Sequence, residues 1–277
     1  MHAVLNYLVP MAGPVRTWAC EPPPGVPRFN GTLQAHRMPI GDARTQPTAP
    51  DLDTQGFTLC EQRSRVHDFW DPAEIIGTYY AEVERLLCDL TGARHARVFD
   101  HTLRRRAPGR PPLDGSGGSF AAVREPVGRV HADYTPRSAP ARLRQVLGEA
   151  EAARRLSSRF AILGLWRPTL AGPLRDAPLA LADARSVGPH DMVPNELIYA
   201  DRRGETFVGV HNPAHRWFFF PGQRRNEVIV FKNFDSAAGH AGIAGVVPHT
   251  AFEDPTAPAD APRRESIEVR AFVFFEA

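Results

Sequence analysis

The sequence predicts a mainly β fold, a barrel or jelly roll with flanking helices, and three observations carry that reading. Proline at 27 and glycine at 22 of 277 residues punctuate the chain too often for long helices. A hydrophobic share of 43% in a chain of this length can bury a sizeable core, which excludes disorder of the whole. From residue 127 onward, short runs of β-branched and aromatic residues are separated by Gly, Pro, Asn and Asp turns.

Taken in order, residues 1–10 are apolar but carry no basic leader and fall far short of the ~20 residues a membrane span needs. Residues 12–56 are rich in Pro, Gly, Thr and Gln with little periodicity. Segment 1–60 is therefore expected to be an irregular arm packed on a core domain of 61–277. A helix is expected from Asp71, where Asp caps, Pro72 fits the first position and Glu74 completes a capping-box pattern. Ile75, Tyr79, Val83, Leu86, Leu87 and Leu90 keep its spacing until Gly92 stops it. Residues 95–104 alternate like a strand, and 104–119, dense in Arg, Pro and Gly, reads as a flexible loop, either a lid or a disordered insertion. Strands are then expected at 127–134, 160–166, 179–184, 197–199, 206–211, 216–220, 227–234 and 267–275, with helical pattern surviving at 140–158.

Charge excludes some partners. With 31 acids against 33 bases there is no large single-sign field, so neither nucleic acid nor membrane is expected. Only one of those bases is a lysine, Lys232, a skew that reads first as genome composition. Cys20, Cys60 and Cys88 are odd in number and form no CxxC pair, which points away from a disulfide framework and towards the cytoplasm. No Gly-x-Ser-x-Gly elbow supports a hydrolase.

Chemistry gathers on three segments. In Arg129-Val130-His131-Ala132-Asp133-Tyr134, an imidazole and a carboxylate stand two residues apart, so on a strand both project to one face and can meet one metal ion. His249, after a short apolar run and a proline, is the candidate third ligand. Two histidines and a carboxylate form the facial triad of non-heme Fe(II) oxygenases, which leaves coordination positions open. Fifteen residues beyond His249, Arg264 and Ser266 share a strand face, where guanidinium and hydroxyl can grip a carboxylate such as the far end of 2-oxoglutarate. Strand parity rejects Arg263 and keeps Arg270 as the runner-up. The pair His211 and His215 reads as a polar hairpin turn.

These segments, with Phe99-Asp100-His101-Thr102, Leu165-Trp166-Arg167-Pro168, Val230-Phe231-Lys232-Asn233-Phe234-Asp235-Ser236 and Pro248-His249-Thr250, resemble the CmcJ/AsaB-type hydroxylase/desaturase family over roughly residues 60 to 277. Its members include cephem-methoxylase-like and gibberellin-desaturase-like proteins. The resemblance implies a double-stranded β-helix, cupin-like core and Fe(II)/2-oxoglutarate/O2 chemistry on a small molecule of secondary metabolism. Carried over by position, His131, Asp133 and His249 become iron ligands, and Arg264 with Ser266 the cosubstrate clamp. Tyr134, Trp166, Arg167, Lys232 and Arg270 stand as candidates for contacting substrate or supporting the ligands, against plainer roles as core residues or a strand-end charge. One departure is Gly164-Leu165, where the family often has Asn-Val; a polar contact is expected to be missing there. The rival readings are a non-catalytic β-helix scaffold and a metal cupin enzyme independent of 2-oxoglutarate.

Overall fold

The computed structural model describes residues 1–107, 109, 113 and 124–276. Its strands in chain order are β1 (His2–Leu8), β2 (Val15–Trp18), β3 (Leu33–Asp42), β4 (Phe57–Glu61), β5 (His95–Arg105), β6 (His131–Ala132) and β7 (Phe160–Pro168). There follow β8 (Leu179–Ala182), β9 (Met192–Ile198), β10 (Arg203–Gly209), β11 (Trp217–Phe219), β12 (Glu227–Asp235), β13 (His249–Ala251) and β14 (Glu265–Phe274). They form a nine-stranded sheet in the order β1-β3-β11-β8-β13-β6-β10-β9-β2 and a five-stranded sheet in the order β4-β12-β7-β14-β5.

Side-chain parity explains why the five-stranded sheet lies inside the molecule. Leu163, Leu165, Val228, Val230, Ile267, Val269 and Val273 point one way and pack on Ile75, Tyr79, Val83 and Leu87 of the helical segment. On the other face Trp166, Ile229 and Phe231 meet Leu179 and Leu181 of the larger sheet. A sheet covered on both faces needs apolar residues in both registers, which is why β7 is buried along its whole length. Ile75, Val83 and Leu87, essentially inaccessible, each contribute about 1.5–3 kcal/mol by leaving water.

The helix expected after Asp71 forms in three pieces: α1 (Pro72–Glu74), a π-helical stretch (Ile75–Tyr79) and α2 (Tyr80–Thr91). Asp71 caps it by accepting from the Ala73 N–H, and Gly92 closes it in the left-handed region at φ 68°. Glu74 does not return to the cap, because its carboxylate accepts the His67 N–H instead. The pattern at 140–158 is two helices, α3 (Ser138–Leu147) and α4 (Glu149–Arg155), parted at Gly148 where φ is 80°.

Segment 1–60 corrects the expectation of an irregular arm. β1 and β3 pair antiparallel over seven residues and join the larger sheet at one edge, while β2 pairs in parallel with β9 at the other. Ala3, Leu5 and Tyr7 bury one face of β1, a period of two that the exposed but apolar Val4 obscured. The expected strand at 127–134 shortens to β6, because Val130 bonds instead to Asn6 of β1. Most of the loop expected near 104–119 lies outside the described residues, and its first two residues close β5. Among the described residues, no helix is long and apolar enough to cross a membrane.

Candidate metal centre

β6 and β13 are neighbours, and their register sets His131 directly opposite His249. The two ring centroids are 4.4 Å apart, and Asp133 follows two residues on from His131. One ligand atom from each of His131, Asp133 and His249 lies within 4.8 Å of the others.

Backbone carbonyls fix the tautomers. His131 Nδ1 is 2.9 Å from the Arg129 carbonyl and His249 Nδ1 is 3.0 Å from the Val247 carbonyl. A carbonyl only accepts, so each Nδ1 carries the proton and each Nε2 presents a lone pair. His249 Nε2 is buried and, among the described residues, has no hydrogen-bond partner. An orphaned acceptor facing a second imidazole and a carboxylate fits a divalent metal ion, whose ligands are neutral histidine and ionised aspartate. Protonation follows suit: burial first, then the closeness of the second imidazole, hold His131 well below its ordinary range. Burial pushes the Asp133 carboxyl up, but Arg270 and the two histidines outweigh it and hold the group well below the usual carboxylate range.

The opposite wall comes from β14, where Ser266, Glu268 and Arg270 form one inner row continued from Arg264. Arg270 donates from Nε to Asp133 Oδ2 at 2.6 Å, and from Nη1 to Asp100 and Thr102, each at 3.2 Å. Its Nη2 lies 2.9 Å from Glu268 Oε1. Arg270 thus holds a carboxylate of the centre and is engaged there. Arg264, 2% exposed, donates from Nε to Ser266 Oγ at 3.0 Å and from Nη1 to the Ala177 carbonyl at 2.7 Å. Its guanidinium carbon stands 4.8 Å from the Trp166 ring centroid. Ala177 holds a left-handed φ of 47°, rare for a residue with a Cβ, and that conformation turns its carbonyl onto Arg264.

His131, His249, Trp166, Arg264 and Glu268 line one small cavity. On the other side of His131 and Asp133 opens a cavity of about 560 Å³, lined also by Tyr134, Thr102 and Arg270. Two candidates fall away from both. Arg167 faces the helical side of the sheet, donating to the Arg225 carbonyl and to Gln62 with its guanidinium over Tyr79, because parity opposes it to Trp166. Lys232 is 3% exposed and bonds Asp53 at 2.7 Å and Asp235 at 2.8 Å, so it is a buried ion-pair partner rather than a strand-end charge in water.

Sequence reading missed Glu268, though it belongs to the same row as Ser266 and Arg270, and it missed Asp100, Thr102 and Arg104 on β5. The register pairs Arg104, Thr102 and Asp100 with Ser266, Glu268 and Arg270, and their polar spacing of two was the available signal. At Gly164 the expected missing polar contact has a packing cause: a Cβ there would come 2.5 Å from the Phe231 ring, which in turn lies 4.7 Å from the His249 ring by centroids.

A family model described as an oxidoreductase/YMDC permease-like domain matches residues 5–274. The chain is 34% identical over 263 residues to the Fe(II)/2-oxoglutarate-dependent dioxygenase nvfI of Aspergillus novofumigatus, covering 91% of this chain and 88% of that protein. It is 30% identical over 269 residues to the hydroxylase/desaturase efuI of Hormonema carpetanum, with 89% and 88% covered. A solved structure of the iron and alpha-ketoglutarate-dependent endoperoxidase NvfI superposes with a TM-score of 0.85 at 29% identity, covering 100% of this chain and 98% of that one.

Proposed function

The chain belongs to this oxidoreductase family, with Fe(II)/2-oxoglutarate-dependent dioxygenases and hydroxylase/desaturases among its relatives, and from that membership we propose how its own residues divide the work. It is an Fe(II)/2-oxoglutarate-dependent oxygenase with a double-stranded β-helix core, and its substrate is a small molecule of secondary metabolism. His131, Asp133 and His249 hold the metal, and the observation that carries this is the cross-strand register of the two histidines with both Nδ1 protons tied to carbonyls. When bound, Fe(II) with 2-oxoglutarate supplies the oxidising chemistry, in which decarboxylation of the cosubstrate to succinate and CO2 is coupled to removal of hydrogen from the substrate.

Arg264 and Ser266 pair with the far carboxylate of 2-oxoglutarate, giving the cosubstrate one orientation along the small cavity. Trp166 supports the guanidinium from its apolar side and Ala177 fixes its rotation. Arg270 keeps Asp133 ionised and aimed at the metal position. Tyr134 and Thr102 face the substrate cavity. Replacement of one hydrogen by a hydroxyl whose oxygen comes from O2 would give an alcohol, and loss of two hydrogens an alkene or ring, according to how the substrate lies there.

Anaerobic protein given Fe(II) and 2-oxoglutarate is expected to show a weak visible charge-transfer band. His131→Ala should abolish that band and Arg264→Ala should demand far more 2-oxoglutarate to reach it. A wild type without the band overturns the assignment, and a band unchanged in Arg264→Ala removes Arg264 from the clamp.

A further inference from the structure

Arg104 occupies the wall shared by the small cosubstrate cavity and the 560 Å³ substrate cavity. It is 9% exposed, and its Nη1 donates to the Glu125 carbonyl at 2.8 Å. Among the described residues no carboxylate forms an ion pair with it. A buried cation that makes no direct ion pair is stabilised by an incoming anion. Burial pushes the Arg104 guanidinium down to about 10, with Arg270 and Arg124 acting the same way and Glu268 and Asp133 against them. It stays charged at neutral pH, so that stabilisation is open to an anion there.

The surroundings share this sign. Arg28, Arg124 and Arg129 also line the large cavity, as do Arg202 and Arg203, which pair with Asp201 and Glu196 outside its lining. Among the described residues the carboxylates of its lining are Asp100, Asp133 and Glu205, and each is engaged: the first two by Arg270, the third by Thr135 and Arg137. Low-dielectric walls focus such a field and favour an anionic ligand over its neutral analogue. The net charge of the whole chain, only +2, does not produce this local excess.

We propose that the substrate is an organic acid whose carboxylate seats on Arg104, with its carbon skeleton in the large cavity beside His131 and Asp133. This rests on reading that cavity as the substrate pocket of an oxygenase. It assigns Arg104 a binding role distinct from the cosubstrate clamp at Arg264, and it makes the acid group the feature that fixes which carbon faces the metal position.

The test uses the full chain loaded with redox-inert Zn(II) and saturating 2-oxoglutarate, with 2-naphthoate and 2-naphthamide as matched probes read by ligand-observed NMR. Charge-assisted hydrogen bonds contribute about 1.5–3 kcal/mol, so the acid should bind about ten- to a hundredfold more tightly than the amide. Arg104→Gln should erase that preference, and Arg104→Lys should keep part of it. Equal affinities in the wild type overturn the proposal without any variant, so a misfolded Arg104→Gln does not shield it. A preference undiminished in Arg104→Gln also overturns it. So does a loss in Arg104→Gln that falls on 2-oxoglutarate affinity, titrated separately with Fe(II) without oxygen, while the naphthoate preference survives; the carboxylate on Arg104 is then the cosubstrate's. A wild type that prefers the acid but shows no 2-oxoglutarate band supports Arg104 as an acid anchor and overturns the oxygenase reading instead.

Discussion

Gly164 shows how one missing side chain shapes a distant ligand. With no Cβ there, the Phe231 ring lies over the β7 backbone and packs against His249, so the imidazole is held from behind as well as by its Nδ1 bond. Gly164→Ala should cost about 1–3 kcal/mol through overpacking. It should also weaken metal binding, because the displaced ring pushes on the His249 imidazole. Thermal unfolding and a metal titration of the same variant check this, and a variant with wild-type melting and metal affinity contradicts it. Arg270 acts on a second proposed ligand, Asp133. Arg270→Leu leaves Asp133 buried without its strongest partner and should lower metal affinity by about ten- to a hundredfold, as loss of groups that orient metal ligands does. Arg270→Lys should recover part of that loss, since it restores charge without the planar fork.

At the scale of elements, β14 was readable because strand parity needs only spacing. Placing Arg264, Ser266 and Arg270 in one row required no knowledge of the neighbouring strands. Parity also opposes Arg167 to Trp166, which the sequence reading kept together as candidates, and deciding which of the two faces the cavity needed the helical layer that covers the other side. β1 and β3 were hidden for a different reason. β1 is an edge strand, exposed Val4 breaks its polar outer row, and β3 takes its second partner, β11, from some 180 residues on, so no local pattern marks them. Lys232 was misjudged because position at a strand end says nothing about Asp53, which β4 and its preceding turn bring across from the other end of the chain. Removing this ammonium leaves Asp235, 1% exposed, with Arg159 as its remaining basic partner. Lys232→Met should therefore destabilise the protein by about 3 kcal/mol in denaturant unfolding. The folded variant should keep its metal affinity, because the ion pair lies outside both cavities.

For the whole molecule, the histidines outside the proposed centre set how stability responds to acid. Burial lowers the His215 pKa against the opposing pull of Asp191; it lowers that of His101 against Asp100; and it lowers that of His211 with help from His36 and His215. His215 is enclosed by Tyr7, Asp191 and Trp217, and its Nε2 donates to Asp191 while its Nδ1 accepts from the Tyr7 hydroxyl, an arrangement that requires a neutral ring. In the unfolded chain the same imidazoles take up protons near pH 6.5. As pH falls through that value the unfolded state binds more protons than the native state, so the stability present above it is lost on the way down to the folded pKa values. A second loss follows below about pH 4, where carboxylates such as Asp183, Asp191 and Asp235, held low by hydrogen bonds that outweigh burial, are protonated first in the unfolded chain. The melting temperature should thus fall from pH 7.5 to 5.5, before the carboxylates that are held low titrate. His211 stacks on His36 at 3.7 Å and also faces Tyr7, so its protonation sets charge beside an imidazole rather than beside a carboxylate. His211→Gln should flatten the slope over that interval, and a slope equal to that of the wild type would show that this pair contributes nothing to the acid response.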